Sequence, residues 1–175
     1  MVDLKKLNEK RISISEAFNS KAKSVAVAGW VENIRELGKI RFILLRDSTE
    51  KIQITAVKGK VDDKIFEQIS KLTRESVIYV EGEVKESKQA PGGKEINPTH
   101  LDILALANEN LPIDVSEFSK TDLPKRLDNR FLDMHRRRTQ AIFKIQSTLA
   151  STFIKHFVDK GFINVQLPCI ISTSS

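Results

Sequence analysis

Cysteine is almost absent: Cys169 stands alone among 175 residues. One thiol cannot close an internal disulfide, which suits a reducing cytoplasm, where we expect the protein to reside. Histidine is nearly as scarce, with three scattered residues at 100, 135 and 156, so no metal-ligand spacing forms and no metal site is expected. Long apolar runs are missing too. None approaches the roughly 20 residues that a membrane-spanning helix needs, so no membrane partner is expected. The opening MVDLKKLNEKR has basic residues but no apolar stretch behind them, which argues against a secretory signal. No glycine-rich loop has phosphate-binding spacing; APGGKE (residues 90–95) reads as a β-turn. With 40% hydrophobic and 30% charged residues, the chain is expected to fold as a globular protein.

What the chain does have is positive charge. Its 29 Lys and Arg against 23 Asp and Glu leave a formal net charge of +6, which favours a polyanionic partner.

Periodicity divides the chain. Residues 25–31, 40–46, 52–57, 77–84 and 101–106 read as strands from their apolar and alternating patterns. Between the third and fourth, Ile65, Phe66, Ile69 and Leu72 recur at helical spacing. The order β-β-β-α-β-β is that of a five-stranded OB barrel, with an open α+β sandwich as the alternative. Residues 89–93 supply the turn between the last two strands. Ser13 and Glu16 form a capping-box pattern and predict a short leading helix over 13–19. The expected division is an OB domain over 1–107, a linker over 108–128 carrying Pro112 and Pro124, and an α/β segment over 129–175. In that segment Ile142, Ile145, Leu149, Phe153 and Phe157 form one face of a helix over 138–160, ended by Gly161. Residues 162–167 read as a strand stopped by Pro168. One helix and one strand cannot bury their own apolar faces, which points to a larger domain or to dimerisation.

GWVENIRELGKIRFILLRD (residues 29–47) sets an aromatic ring among cations: Phe42 with Arg35, Lys39, Arg41 and Arg46. On an OB barrel, bases of single-stranded nucleic acid stack on exposed aromatics while cations follow the phosphates. Gln53 on the next strand offers a donor and an acceptor together, suited to the edge of an unpaired base. The competing reading makes Phe42 a core residue and Gln53 a solvent-facing one. Arg136, Arg137 and Arg138, with Lys125, Arg126 and Arg130, make a second basic region. It reads either as an RNA-backbone contact or as a charged surface with Arg126 and Arg130 paired to Asp128 and Asp133.

These residues resemble the aspartyl-tRNA synthetases of archaeal and eukaryotic type. GWV-x-x-x-R-x-L-G-x-x-x-F-x-x-x-R-D followed by Gln53 is similar to their N-terminal anticodon-binding domain. RLDNRFLD (residues 126–133) resembles their RLDNR segment, and residues 141–147 with 160–168 resemble motif 1 of class II synthetases. The sequence departs from the family at Leu167 and Cys169, where Thr-Pro-Lys is common; Cys169 reads as a small apolar filler.

The resemblance implies roles. Phe42 would stack on the central uridine of the anticodon, Gln53 would hydrogen-bond it, and Arg35 would contact the anticodon loop. Glu83 could read a neighbouring base. Glu32 and Pro91 sit where the family varies with its preference for tRNA-Asp alone or for tRNA-Asp and tRNA-Asn. Phe162 and Pro168 would belong to a motif 1 dimer interface. Motifs 2 and 3, which carry aminoacylation, would follow motif 1, so no catalytic residue is expected in this chain. ATP and Mg2+ would serve the full-length enzyme and not this chain alone. Two other readings remain: a stand-alone, non-catalytic RNA-binding paralogue, and the same portion of an asparaginyl-tRNA synthetase.

Overall fold

In the computed structural model, which describes residues 4–116 and 120–167, strand β1 (Ser24–Leu37) serves two neighbours in turn. Its first half pairs antiparallel with β4 (Val77–Glu86), and its second half with β2 (Ile40–Arg46). The exchange occurs at Gly29 and Trp30, because Trp30 faces both Val77 and Arg46. A Cβ on Gly29 would lie 2.2 Å from the carbonyl oxygen of Arg46, so only glycine lets the strands cross this closely. A bulge between Val31 and Asn33 then bends β1 over β2. The β1–β2 hairpin turns on Gly38 (φ 59°) and Lys39, with Leu37 facing Ile40, as a two-residue turn with glycine first requires.

β3 (Lys51–Val57) pairs with β2, and β5 (Lys94–Ala105) pairs antiparallel with β4. A short parallel contact of β5 with β3, Gln53 to Glu95 and Ile54 to Ile96, closes the barrel in the order β1-β2-β3-β5-β4. This is the five-stranded OB barrel. Inside lie Val27, Val31, Ile43, Leu45, Ile52, Ile54, Ile78, Val80 and Ile96, each without solvent exposure. A helix plugs one end between β3 and β4, as expected. It is the third in the chain, after α1 (Leu4–Lys10) and α2 (Ile14–Asn19). This α3 (Asp63–Ser70) is capped by Asp62, whose side chain accepts from the Lys64 amide, and it buries Ile65, Phe66 and Ile69.

The capping box on α2 forms in both directions: Ser13 Oγ accepts from the Glu16 amide and Glu16 Oε2 accepts from the Ser13 amide. Asp47 ties this helix to the barrel by accepting the Ile14 amide at 2.8 Å. β1 and β5 run longer than their apolar patterns predict, and a single 3-10 turn (Pro91–Gly93) joins β4 to β5.

The chain forms two compact units, residues 1–110 and 111–175. In the second, Ile113, Val115 and Leu132 make a small core. Helix α4 (Leu123–Asp128), with Pro124 in its first turn, falls in the stretch expected as a linker, and α5 (Arg130–Asp133) and α6 (Arg137–Asp159) follow. The strand expected over 162–167 is not formed. A strand needs an edge to pair with, and no strand is described in this unit to supply one.

Candidate nucleic-acid interface

Alternation fixes which side chains leave the barrel. Ile43 and Leu45 point inward and are fully buried, so Phe42 and Leu44 project from the outer face, both partly exposed. The register then builds rows across three strands. Arg35, Phe42 and Thr55 stand opposite one another, and Asn33, Leu44 and Gln53 form the next row. A half-exposed aromatic ring is thus flanked by an exposed guanidinium on one side and polar groups on the other.

The surrounding cations divide by what they touch. Arg35 and Lys39 are exposed. Arg41 turns toward α3: its Nε lies 2.9 Å from Glu36, its Nη1 donates to the Phe66 carbonyl, and its guanidinium lies 4.0 Å from the centre of the Phe66 ring. Arg46 is buried, donates to both carboxylate oxygens of Glu75, and lies 5.7 Å from the Trp30 ring centre. Of the four cations that the sequence gathers around Phe42, two hold the barrel together.

Gln53 also has less to offer than the sequence suggests. Its Nε2 donates to Glu95 Oε2 at 3.0 Å and to Thr55 Oγ1 at 3.3 Å, while Thr55 Oγ1 donates to the same Glu95 oxygen at 2.7 Å. The Nε2 edge of the amide is therefore turned into the sheet toward both partners, and the carbonyl Oε1 is the acceptor that can meet a ligand. Glu95 is the residue that sequence reading missed. It joins Gln53 through the parallel β3–β5 contact, a pairing that no local pattern announces.

The remaining site residues are dispersed. Glu32 occupies the β1 bulge, bound to Lys51 and 3.6 Å from Arg46, so it sits beside the Arg46–Lys51 pair, one outward-facing row beyond Leu44 and Gln53. Glu83 is exposed on β4 and lies 3.6 Å from Lys85 Nζ, outside the Phe42 group. Pro91 is exposed at the β4–β5 turn. In the second unit, Phe162 folds back on α6. Its amide donates to the Phe157 carbonyl, the Gly161 amide donates to Val158, Gly161 takes φ 85°, and the Phe157 and Phe162 rings meet at 5.4 Å. This is a Schellman end with its hydrophobic contact. Ile142, Ile145, Leu149 and Phe153 on the same helix are between 56% and 69% exposed. Pro168 and Cys169 lie outside the described residues.

The basic region of that unit is partly a bonded corner. Arg126 grips Asp133 with Nε at 2.7 Å and Nη2 at 3.0 Å, and Thr139 donates to the same carboxylate at 3.2 Å. The Arg126 hydrogen bond holds the Asp133 carboxyl below the usual carboxylate range, against the opposing effect of burial. Arg130 lies over the Phe143 ring, with 5.4 Å to the ring centre, and no acid pairs with it among the described residues.

Residues 25–104 match the family model of the OB-fold nucleic acid binding domain of the tRNA anticodon type. Residues 122–175 match that of the class II tRNA synthetases (D, K and N). The chain is 43% identical over 151 residues to the aspartate–tRNA(Asp/Asn) ligase of Methanopyrus kandleri, covering 86% of this chain and 35% of that protein. Against the ligase of the same description from Methanocaldococcus jannaschii the identity is 44% over 149 residues, covering 85% and 34%. The chain thus spans about a third of the length of the curated relatives it matches. Among solved structures, the asparaginyl-tRNA synthetase of Pyrococcus horikoshii complexed with asparaginyl-adenylate superposes with a TM-score of 0.83 at 30% identity, covering 94% of this chain and 38% of that one. The aspartyl-tRNA synthetase of Entamoeba histolytica gives 0.81 at 25% identity, covering 93% and 40%.

Proposed function

The chain belongs to the class II tRNA synthetases of the aspartate, lysine and asparagine group and carries their anticodon-binding OB domain; from that premise we propose that the outer face of β1, β2 and β3 reads the anticodon of tRNA-Asp. One observation carries the reading: Phe42 projects from the barrel between exposed Arg35 and the Gln53–Thr55–Glu95 group, the arrangement a stacked and edge-read base needs. Phe42 stacks on the central uridine, Gln53 Oε1 accepts from its edge, and Arg35 meets the phosphates of the loop. Glu32 and Pro91 bear on whether tRNA-Asn is accepted as well, and Glu83 lies within reach of a longer stretch of RNA.

The activity served is ligation of aspartate to tRNA, with ATP and Mg2+, by the whole enzyme in the cytoplasm. Among the described residues, no group of three His, Cys, Asp or Glu side chains gathers that could hold a metal ion, and no step through ATP or Mg2+ is assigned to them. Nor is any helix of the described residues long and apolar enough to cross a membrane. The exposed apolar face of α6, together with Phe162 and Pro168, serves a homodimer interface of the whole enzyme. A second reading, the corresponding part of an asparaginyl-tRNA synthetase, draws on the Pyrococcus likeness at 30% identity; the 43% and 44% identities to aspartate-type relatives favour the first.

Fluorescence anisotropy with a labelled tRNA-Asp anticodon stem-loop, against one whose central uridine is cytidine, tests the reading across a salt series. Preference for uridine that survives added salt supports anticodon reading. Equal binding of both loops, steeply salt-dependent, would leave only a basic OB surface.

A further inference from the structure

We infer that Thr55 and Glu95 act together as a lock on the Gln53 amide, and that this lock makes the site select a base carrying a ring N–H, uridine over cytidine. The inference rests on the anticodon reading above and deepens it. It starts from a closed triangle of hydrogen bonds. Glu95 is a carboxylate and only accepts; it takes one bond from Thr55 Oγ1 at 2.7 Å and one from Gln53 Nε2 at 3.0 Å. The Thr55 proton is committed to Glu95, so Thr55 Oγ1 meets Gln53 as an acceptor, at 3.3 Å.

The three bonds thereby fix which edge of the Gln53 amide faces Thr55 and Glu95. Turning the Gln53 amide over would set its carbonyl oxygen against a carboxylate and against a hydroxyl oxygen whose proton is already used. A lone pair would then face a lone pair on both sides, so the turned amide is excluded. The site is also well held: Thr55 is only 8% exposed, and Gln53 and Glu95 are both partly buried.

The outward group is therefore always Oε1. An acceptor fixed in place pairs with the N3–H of uridine. Cytidine presents an unprotonated N3 at the same position and leaves two acceptors face to face, a mismatch that costs more than a missing contact. A free glutamine would not discriminate this way, since its amide could turn and offer Nε2 to cytidine instead. Discrimination on this view belongs to Thr55 and Glu95, two positioning residues, as much as to Gln53.

The experiment measures affinity of the full chain for stem-loops with uridine or cytidine at the central position, for the parent, Glu95→Gln, Thr55→Val and Thr55→Ser. The parent should prefer uridine by about tenfold or more. Glu95→Gln frees the amide and should bring the ratio below about threefold, with affinity for the cytidine loop rising. General damage to the fold would not produce that gain. Thr55→Val should fall between the two, and Thr55→Ser should restore the parent ratio. In parallel, NMR of the isotope-labelled chain without RNA follows the side-chain amide of Gln53, identified by its loss in Gln53→Ala. Slow exchange of its protons with solvent in the parent, faster in Glu95→Gln, is expected. An unchanged ratio in Glu95→Gln and Thr55→Val, in a parent that discriminates, overturns the inference and leaves the anticodon reading standing. A parent that does not discriminate overturns that reading, and the role inferred for the lock falls with it.

Discussion

Arg46 and Glu75 form a buried ion pair at the edge of the β1–β2–β3 face, with the Arg46 guanidinium donating to both oxygens of Glu75. Glu75 takes φ 68°, a left-handed conformation that a residue with a side chain adopts only when its surroundings fix it. Its amide donates to the Val31 carbonyl at 2.7 Å, and the following Ser76 carbonyl accepts from Val31, so the β1 bulge and the β4 approach share one anchor. Removing Glu75 leaves the buried Arg46 guanidinium with Glu32, 3.6 Å from its Nε, in place of the shorter pairing to both Glu75 oxygens. Glu75→Ala is expected to cost about 3 kcal/mol or more in urea unfolding. A loss below about 1 kcal/mol would mean that Glu32 and water compensate Arg46 in full.

Arg35 and Arg41 lie six residues apart and should part company in experiment. Arg35 is exposed beside Phe42, whereas Arg41 is tied to Glu36 and Phe66. Arg35→Gln should weaken stem-loop binding and lower the slope of log affinity against log salt by about 0.7, the share of one phosphate contact to a single strand. Arg41→Gln should leave that slope unchanged and lower the melting temperature. Equal slopes for parent and Arg35→Gln would take Arg35 off the RNA.

Phe42→Ala keeps the barrel, because the ring leaves the core face to Ile43 and Leu45. Base stacking on an aromatic is worth roughly 1–3 kcal/mol, so the variant should bind the anticodon stem-loop about tenfold or more weakly. Circular dichroism identical to the parent must accompany the loss. Unchanged affinity would mean that the ring serves the sheet alone.

The elements legible in the sequence were those with a local cause. The bounds of β2 and the Ser13–Glu16 cap follow from alternation and from a spacing of three residues, and both stand as read. In the sequence β1 reads as ending at residue 31, because the bulge between Val31 and Asn33 breaks the alternation and four of the six residues from Glu32 to Leu37 are polar. The first half of β5 was missed for a similar reason: Pro98 and a run of polar residues disguise a strand whose partners lie on β3 and β4. In the candidate site, the positions of Phe42 and Gln53 on one face followed from parity. What each can do was hidden, since Glu95 takes up the Gln53 donors only after the barrel closes. The strand read over 162–167 had the right residues but lacks an edge to join.

The Asp133 corner gives a prediction in acid. Its hydrogen bond from Arg126 lowers the folded carboxyl pKa, so protons bind more readily to the unfolded chain. The stabilisation is therefore complete above the ordinary aspartate pKa of about 3.9 and is lost as pH falls through the lower folded value. Melting of Asp133→Asn should lie below that of the parent at neutral pH, and the gap should close as the pH drops below about 4. A gap of constant size across that range would assign the loss to packing, not to the charge.

The exposed face of α6 carries the last prediction. Leu149 and Phe153 are 69% and 63% exposed on a helix whose buried residues, of those described, reduce to Thr139. Apolar side chains in that number gain about 25 cal/mol for each Å2 taken from water, so a second copy of the chain would supply the missing cover. Sedimentation velocity should show a dimer that strengthens with concentration. Leu149→Glu, which sets a charge in the middle of that face, should leave a monomer with the helix content of the parent. If the parent stays monomeric at every concentration and Leu149→Glu changes nothing, α6 in this chain does not pair with its own copy, and the homodimer proposed for the whole enzyme must draw on surface beyond these residues.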